Sequence, residues 1–204
     1  MKPAHLFFRR AGVFLSACAL AACTLPPPAA QPAEPAIRQA AAAFALTGRV
    51  SASDGERSAT GRFEWRRQPA ADRWTISGPF GQIAARLDAG PEGAELSLAD
   101  GTRHHAARAA DLMPAFFPGI ADAELSLARL AAWVQAAPPV GSEVRTLDAH
   151  GRPARLIDQG WSIDYLGYQD DAAAALPRLL EIFRGDFRLR LVIDQWETEA
   201  ESAP

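Results

Sequence analysis

Lysine is almost absent from this 204-residue chain: Lys2 is the only one, and every other basic side chain apart from histidine is arginine. Acidic side chains outnumber basic ones, for a formal charge of −3. A balance of that sign argues against nucleic acid as a partner and against attachment to anionic lipid by charge. Cysteine is equally scarce. Only Cys18 and Cys23 occur, both near the N-terminus, so no disulfide and no Cys-based metal site is available to the body of the chain. The apolar run at 11–22 falls short of the roughly 20 residues that span a bilayer. Absent too are the Gly-x-Ser-x-Gly, His-Glu-x-x-His, phosphate-loop and dinucleotide fingerprints. His104-His105 falls on a predicted strand, where neighbours point to opposite faces and cannot share a metal or a proton. Asp148 and His150 flank a turn with Gly151 and could form a dyad, yet none of those fingerprints accompanies them and they read as solvated loop residues. The chain is therefore expected not to be an enzyme and to carry no metal and no cofactor.

What is present begins with Arg9-Arg10 before that apolar run, the pattern of a secretory leader. The run ends in Leu20-Ala21-Ala22-Cys23, which resembles the bacterial lipobox, whose cysteine is lipidated and becomes the first mature residue. Leu15-Ser16-Ala17-Cys18 reads similarly but leaves a shorter apolar region, so Cys23 is the expected lipid site and 1–22 the leader. Losing Lys2, Arg9 and Arg10 would take the charge from −3 to −6. Membrane attachment must then come from acyl chains, of which two or more hold firmly. By resemblance to the sorting rule of such lipoproteins, Thr24 in place of aspartate implies the outer membrane. Residues 23–38, with Pro26-Pro27-Pro28, read as a tether, and 39–43 as a short alanine-rich helical start. A body over 39–197 and a loose acidic tail at 198–204 complete the division.

The body is almost wholly β in pattern. Alternation with a period of two predicts strands near 44–53, 57–67, 73–77, 83–87, 94–99 and 102–107, and again at 144–148, 155–159, 161–168, 178–183 and 187–196. Between the two sets, 111–117 and 125–134 carry apolar residues at helical spacing and read as short amphipathic helices packed on the sheet. About eleven antiparallel strands with one apolar face must curl or split into layers, and hairpin connections favour one curved sheet. That face is aromatic: Phe63, Trp65, Trp74, Trp161 and Tyr165, with Ile76 and Ile163 beside them and Trp133 on the second helix. A curved sheet lidded by helices can enclose an apolar cavity or simply fill its core, and the pattern alone leaves both open.

One turn stands out. In Gly78-Pro79-Phe80-Gly81 proline presets the second position and glycine suits the fourth, which puts Phe80 at the tip of a hairpin. Keeping that ring in water forgoes burial worth about 1.5–3 kcal/mol. Either it folds back on a neighbouring loop or it works in an apolar medium.

Five motifs, in order, cover nearly all of the body: Leu46-Thr47-Gly48-Arg49-Val50, Gly61-Arg62-Phe63-Glu64-Trp65, Gly78-Pro79-Phe80-Gly81-Gln82, Gln159-Gly160-Trp161-Ser162-Ile163-Asp164-Tyr165 and Leu191-Val192-Ile193-Asp194-Gln195-Trp196. Behind a lipobox, they resemble the LolB family. The resemblance implies a mainly β fold with two to three short helices, an eleven-stranded half-open barrel lidded by those helices. It implies an outer-membrane acceptor that takes lipoproteins from a LolA-like periplasmic carrier, holds their acyl chains in an apolar cavity and inserts them into the membrane. Phe63, Trp65, Trp74, Ile76, Trp133, Trp161, Ile163 and Tyr165 are then the expected cavity residues, Phe80 the membrane-inserting one, and the protein a monomer facing the periplasm. Two positions depart from the family pattern: Phe80 replaces a usual leucine, and Ala136 stands where a glycine tends to precede the proline. The alternative is a structural or scaffolding envelope lipoprotein that transfers no ligand, with a lipid-metabolising enzyme more distant still.

Overall fold

The computed structural model describes residues 38–117, 120 and 125–198. Cys18 and Cys23, the leader, the tether up to residue 37, Pro118-Gly119 and the tail beyond 198 lie outside the described residues. Six strands come first: β1 (Phe44–Ser53), β2 (Ser58–Gln68), β3 (Ala71–Ser77), β4 (Ile83–Gly90), β5 (Gly93–Leu98) and β6 (Arg103–Ala106). A 3-10 turn (Ala109–Leu112) runs into the short helix α1 (Met113–Phe116), and α2 (Leu127–Val134) follows. Five strands finish the fold: β7 (Glu143–Leu147), β8 (Pro153–Asp158), β9 (Trp161–Tyr168), β10 (Pro177–Arg184) and β11 (Phe187–Thr198).

All eleven strands form one open, curved antiparallel sheet in the order β6-β5-β4-β3-β2-β1-β11-β10-β9-β8-β7. The mainly β, eleven-stranded fold expected from the alternation is the fold adopted. Each half is a meander, and the two meet where β1 pairs with β11. Because β6 and β7 are opposite edges, the segment joining them must cross a face of the sheet. That segment contains both helices, so the topology itself lays them over the apolar side.

The apolar side is built from rows of opposed residues. Leu46, Trp65, Trp74, Leu87 and Leu96 face one another across β1 to β5, and all five are fully buried. Leu189, Ile182, Ile163 and Leu156 make the matching row across β11 to β8. At the junction, the β1–β11 register shifts between Thr47 and Gly48. A Cβ on Gly48 would fall 2.0 Å from the Val192 carbonyl oxygen and 3.0 Å from the Phe63 ring, so only glycine allows this close approach. The opposite face is polar and carries cross-strand ion pairs, Arg73 with Asp88 at 2.5 Å and Arg155 with Asp164 at 2.6 Å among them.

Two local expectations are corrected. Residues 39–43 are irregular, with a bend at Ala42, and not helical. The Ala41 N–H donates to Gln135 Oε1 at 2.8 Å, and Gln135 Nε2 donates to the Ala41 carbonyl at 3.3 Å. Arg38 donates to the carbonyls of Gln135 at 3.1 Å and Ala175 at 2.8 Å. A non-helical chain leaves its backbone groups free for such bonds, whereas a helix would spend them internally. The predicted helix at 111–117 is instead the 3-10 turn followed by four α-helical residues, with Pro114 in the first turn.

The end of α2 answers the question posed by Ala136. Its N–H donates to the Trp133 carbonyl at 2.9 Å and that of Ala137 to the Ala132 carbonyl at 3.0 Å, the paired bonds of a Schellman stop. This requires a left-handed residue, and Ala136 adopts φ of 53°. An L-residue there costs about 1–2 kcal/mol, while glycine adds about 0.5–1 kcal/mol of unfolded-chain entropy. Ala136→Gly should therefore raise stability by about 0.5–1 kcal/mol, read as a higher urea midpoint with an unchanged slope.

Candidate functional site

Seven of the eight expected cavity residues are buried, and Ile76 is half-buried. The structure sorts them into two groups. Under α1, the Trp65 and Trp74 rings stack at 4.7 Å with 7° between planes, and Phe63 lies 5.8 Å from Trp74. Phe116 and Phe117 meet Trp74 edge-on at 5.5 and 5.3 Å. Under α2, Trp133 lies 5.9 Å from Trp161, with Ile163 and Tyr165 on the same strand as Trp161. The apolar side chains of the crossing segment thus occupy the concave face.

The two pieces of that segment are held differently. From 109 to 117 the sequence is Ala-Ala-Asp-Leu-Met-Pro-Ala-Phe-Phe, so every side chain it can lay on the sheet apart from Asp111 is apolar. Asp111 turns to Arg108 instead, at 2.6 Å. Helix α2 is tied by polar bonds. Asp158, at the end of β8, has no exposed carboxylate; it accepts from Arg129 at 2.5 and 2.6 Å and from Trp133 Nε1 at 2.8 Å. Tyr165 donates its hydroxyl to the Trp133 carbonyl at 2.9 Å, and burial pushes its phenol well above the ordinary range. Gln135 then joins the end of the helix to residue 41, before β1.

The aromatic donors are not equally served. Trp65 Nε1 donates to Asp72 at 2.9 Å; burial pushes that carboxyl upward against the opposing bonds from Trp65 and Arg67. The indole nitrogens of Trp74 and Trp161 are buried with no acceptor among the described residues. Each such orphan costs about 1–3 kcal/mol.

Phe80 is at the tip of the β3–β4 turn and is 93% exposed. The turn is closed by Gly81 N–H to the Gly78 carbonyl at 3.0 Å and by Gly78 N–H to the Gln82 carbonyl at 2.8 Å. Gln82 also folds inward to accept the Phe80 N–H at 3.2 Å. A Cβ on Gly78 would meet that side chain at 2.4 Å, so the glycine makes room for the brace. Ile83, beside the turn, is also exposed.

The residues weighed for catalysis are engaged otherwise. Asp148 would be raised by burial, but bonds from Arg152 and the backbone of Arg152 and His150 hold it below the ordinary carboxyl range. His104 and His105 stand opposite Leu96 and Glu95 on β6. Among the described residues no three His, Cys, Asp or Glu side chains gather as a metal site would need. The polar anchor at Asp158, by contrast, escaped the sequence pattern: an aspartate before Gln159-Gly160 reads as an ordinary turn residue.

Comparison with known proteins adds three findings. The family model described as outer membrane lipoprotein LolB matches residues 42–196. A protein of Azoarcus sp. (strain BH72) named outer-membrane lipoprotein LolB is 51% identical over 201 residues, covering 97% of this chain and 98% of its own. A protein of the same name from Thiobacillus denitrificans (strain ATCC 25259 / T1) is 36% identical, over 93% of this chain and 98% of its own.

The anchoring of α2 generates a stability test. Asp158→Ala would leave Arg129 and Trp133 Nε1 without their acceptor, and should lower stability by about 2–4 kcal/mol in urea unfolding. Arg73→Gln, which breaks an exposed pair with Asp88, should change it by less than about 0.5 kcal/mol.

Proposed function

The chain belongs to the LolB family of outer-membrane lipoproteins, and from that premise we propose that it is an outer-membrane acceptor of lipoproteins. It receives them from a LolA-like periplasmic carrier, holds their acyl chains against the concave aromatic face and inserts them into the membrane. The observation that carries this reading is the cover on that face. Met113, Phe116 and Phe117 lie on Trp74 and its neighbours through apolar contact alone, and hydrocarbon chains offer the same chemistry. Acyl chains displacing them exchange one apolar surface for another. The net cost is small, while each methylene taken out of water contributes about 0.8 kcal/mol. With α2 fixed by Asp158 and Gln135, the movable part of the lid is α1. Phe63, Trp65, Trp74, Ile76, Trp133, Trp161, Ile163 and Tyr165 would then line the space opened.

In this reading Cys23 carries the lipid anchor, residues 23–38 are the tether and the protein works as a monomer facing the periplasm. No covalent chemistry is needed. Cargo passes from carrier to acceptor because the acceptor binds acyl chains more tightly, and leaves because the bilayer binds them more tightly still. Phe80 supplies the contact with hydrocarbon at the last step. Its rigid turn keeps the ring exposed without an ordering cost at the moment of contact.

Two measurements test the steps separately. Titration with an acylated peptide should shift tryptophan emission, because Trp74 loses its phenylalanine neighbours; binding with an unchanged spectrum would remove the cargo from this face and favour the scaffolding alternative. Phe80→Glu should leave stability within about 0.5 kcal/mol, since the ring packs on nothing. A carboxylate in hydrocarbon costs on the order of 2.5–3.5 kcal/mol, so this variant should accept cargo from the carrier yet fail to deliver it to floated vesicles. Phe80→Leu should retain delivery. Normal delivery by Phe80→Glu would take the membrane role away from the turn.

A further inference from the structure

The polar face behind the Phe80 turn carries an arrangement that a low net charge conceals. Arg49 on β1 and Arg62 on β2 are directly opposed partners, and Arg190 on β11 stands opposite Ser51, diagonal to Arg49. Like charges facing one another across an antiparallel pair are destabilising. Carboxylates offset only part of this: Asp194 takes Arg49 at 3.1 Å, and Glu181 is shared by Arg190 at 2.5 Å and Arg188 at 3.2 Å. Arg62 makes no ion pair among the described residues. Glu64, two residues along β2 on the same face, is 3.8 Å from Arg66, so Arg49, Arg62, Arg188 and Arg190 stand with three carboxylates on this patch, in a chain that is acidic as a whole. The side chains of Arg49, Arg62 and Arg190 border a groove of about 510 Å³ together with the Ser51 and Thr60 positions and Pro79, the residue before Phe80.

We propose that this groove receives the phosphate of a phospholipid headgroup while Phe80 is in the bilayer, with Arg62 as its principal ligand. The inference rests on the membrane reading of the Phe80 turn and adds to it the part of the lipid that is recognised. Distance along the chain supports the assignment. Arg62 is opposite Ser77, which is itself opposite the exposed Ile83, so the arginine row lies level with the base of the turn. Phe80 is three residues further on, about 10 Å at roughly 3.3 Å per residue if the turn were fully extended, and less as it bends. Interfacial apolar groups sit about 5–10 Å into the headgroup and acyl boundary. A ring at that depth leaves the arginines among the phosphates. The guanidinium fork of Arg62, having no carboxylate to give up, can place two N–H groups on one phosphate. Net charge argued against attraction to anionic lipid; the local field of these arginines reverses that expectation for one face.

The test uses the unlipidated chain from residue 24 onward, which keeps every residue of the sheet and core described above, and measures flotation with vesicles. With phosphatidylethanolamine and phosphatidylglycerol vesicles, Arg62→Gln should weaken binding about fivefold, the effect of one arginine at an anionic surface. Its thermal unfolding should be at or slightly above wild type, since no partner is lost and the opposition to Arg49 is relieved. Arg62→Lys should recover part of the loss. On vesicles of galactosyl diacylglycerol, which keep the hydrocarbon and drop the phosphate, wild type and Arg62→Gln should float alike. Equal flotation of the two on phospholipid overturns the inference, as does wild-type binding to the galactolipid as tight as to phospholipid. Phe80→Glu, run in parallel, separates the failures: if it alone abolishes flotation, the turn enters the bilayer without headgroup recognition, and if neither variant matters, both readings fall. Should Arg62→Gln float normally but slow cargo acceptance, the patch belongs to an acidic protein surface and the phosphate assignment is wrong.

Discussion

A carboxylate entirely withdrawn from water, that of Asp158, fixes what can and cannot move in this fold. Taking it out of solvent is tolerable only because Arg129 and the Trp133 indole supply three bonds, and those bonds pin α2 across the end of β8 and β9. With α2 pinned, the carbonyl of Trp133 is in place to take the Tyr165 hydroxyl, and Gln135 is in place to hold residue 41 as the chain enters β1. The start of the central strand, the middle of β9 and the fixed half of the lid therefore share one polar network. Loss of any member exposes the others to a desolvation penalty, so the network is held together or not at all.

In the other half of the lid, residues 109–117 make no side-chain bond to the sheet among the described residues; Asp111 turns to Arg108. Residues 109–117 cover Trp74 through rings and aliphatic groups, and the indole N–H groups of Trp74 beneath α1 and of Trp161 beneath α2 have no acceptor among the described residues. A face that was meant only to be buried would be cheaper with phenylalanine at both positions. The orphans raise the free energy of the covered state and bring it closer to an uncovered one, a bias that suits a surface exchanging one apolar occupant for another. Hydrophobic contact is non-directional, so in the proposed exchange α1 would leave and return without having to remake specific bonds.

Much of this was legible in the sequence and some was not, for physical reasons. Strand existence and the hairpin succession within each half came through because one face is buried along its whole length, which forces a period of two on Phe63, Trp65, Trp74, Ile163 and Tyr165, whereas the β1–β11 pairing that joins the halves leaves no such local mark. The alanine-rich stretch at 39–43 misled because propensity is a weak preference, and hydrogen bonds from residues 97 and 94 positions away override it in Arg38 and Ala41. Asp158 could not be read because a buried anchor and a solvated turn acid look alike until the partner 29 residues earlier is brought up to it. Ala136 could be singled out, yet only the backbone showed that it holds a left-handed stop that alanine fills under strain. The arginine patch was hidden for a different reason: net charge sums over the molecule, whereas Arg49 and Arg62 meet only through strand pairing.

The two tasks of an acceptor place opposite demands on its backbone, and the fold answers them in different elements. Cargo exchange needs a cover whose opening costs little, and this is drawn from the one long connection, which the sheet does not hold by its ladder. Delivery needs an apolar group kept in water until it meets a membrane, which a soft loop would hide by folding back. The β3–β4 turn prevents that with Pro79, the Gly78–Gly81 and Gly78–Gln82 bonds and the inward Gln82 side chain, so Phe80 cannot reach a neighbouring surface without breaking them. Trp74 and Phe80 belong to the same strand and turn, which sets the covered face and the exposed tip at a fixed separation. Under the proposed function, a rigid strand carrying both would make the site of release and the site of membrane contact one geometric unit and leave the lid as the part that changes.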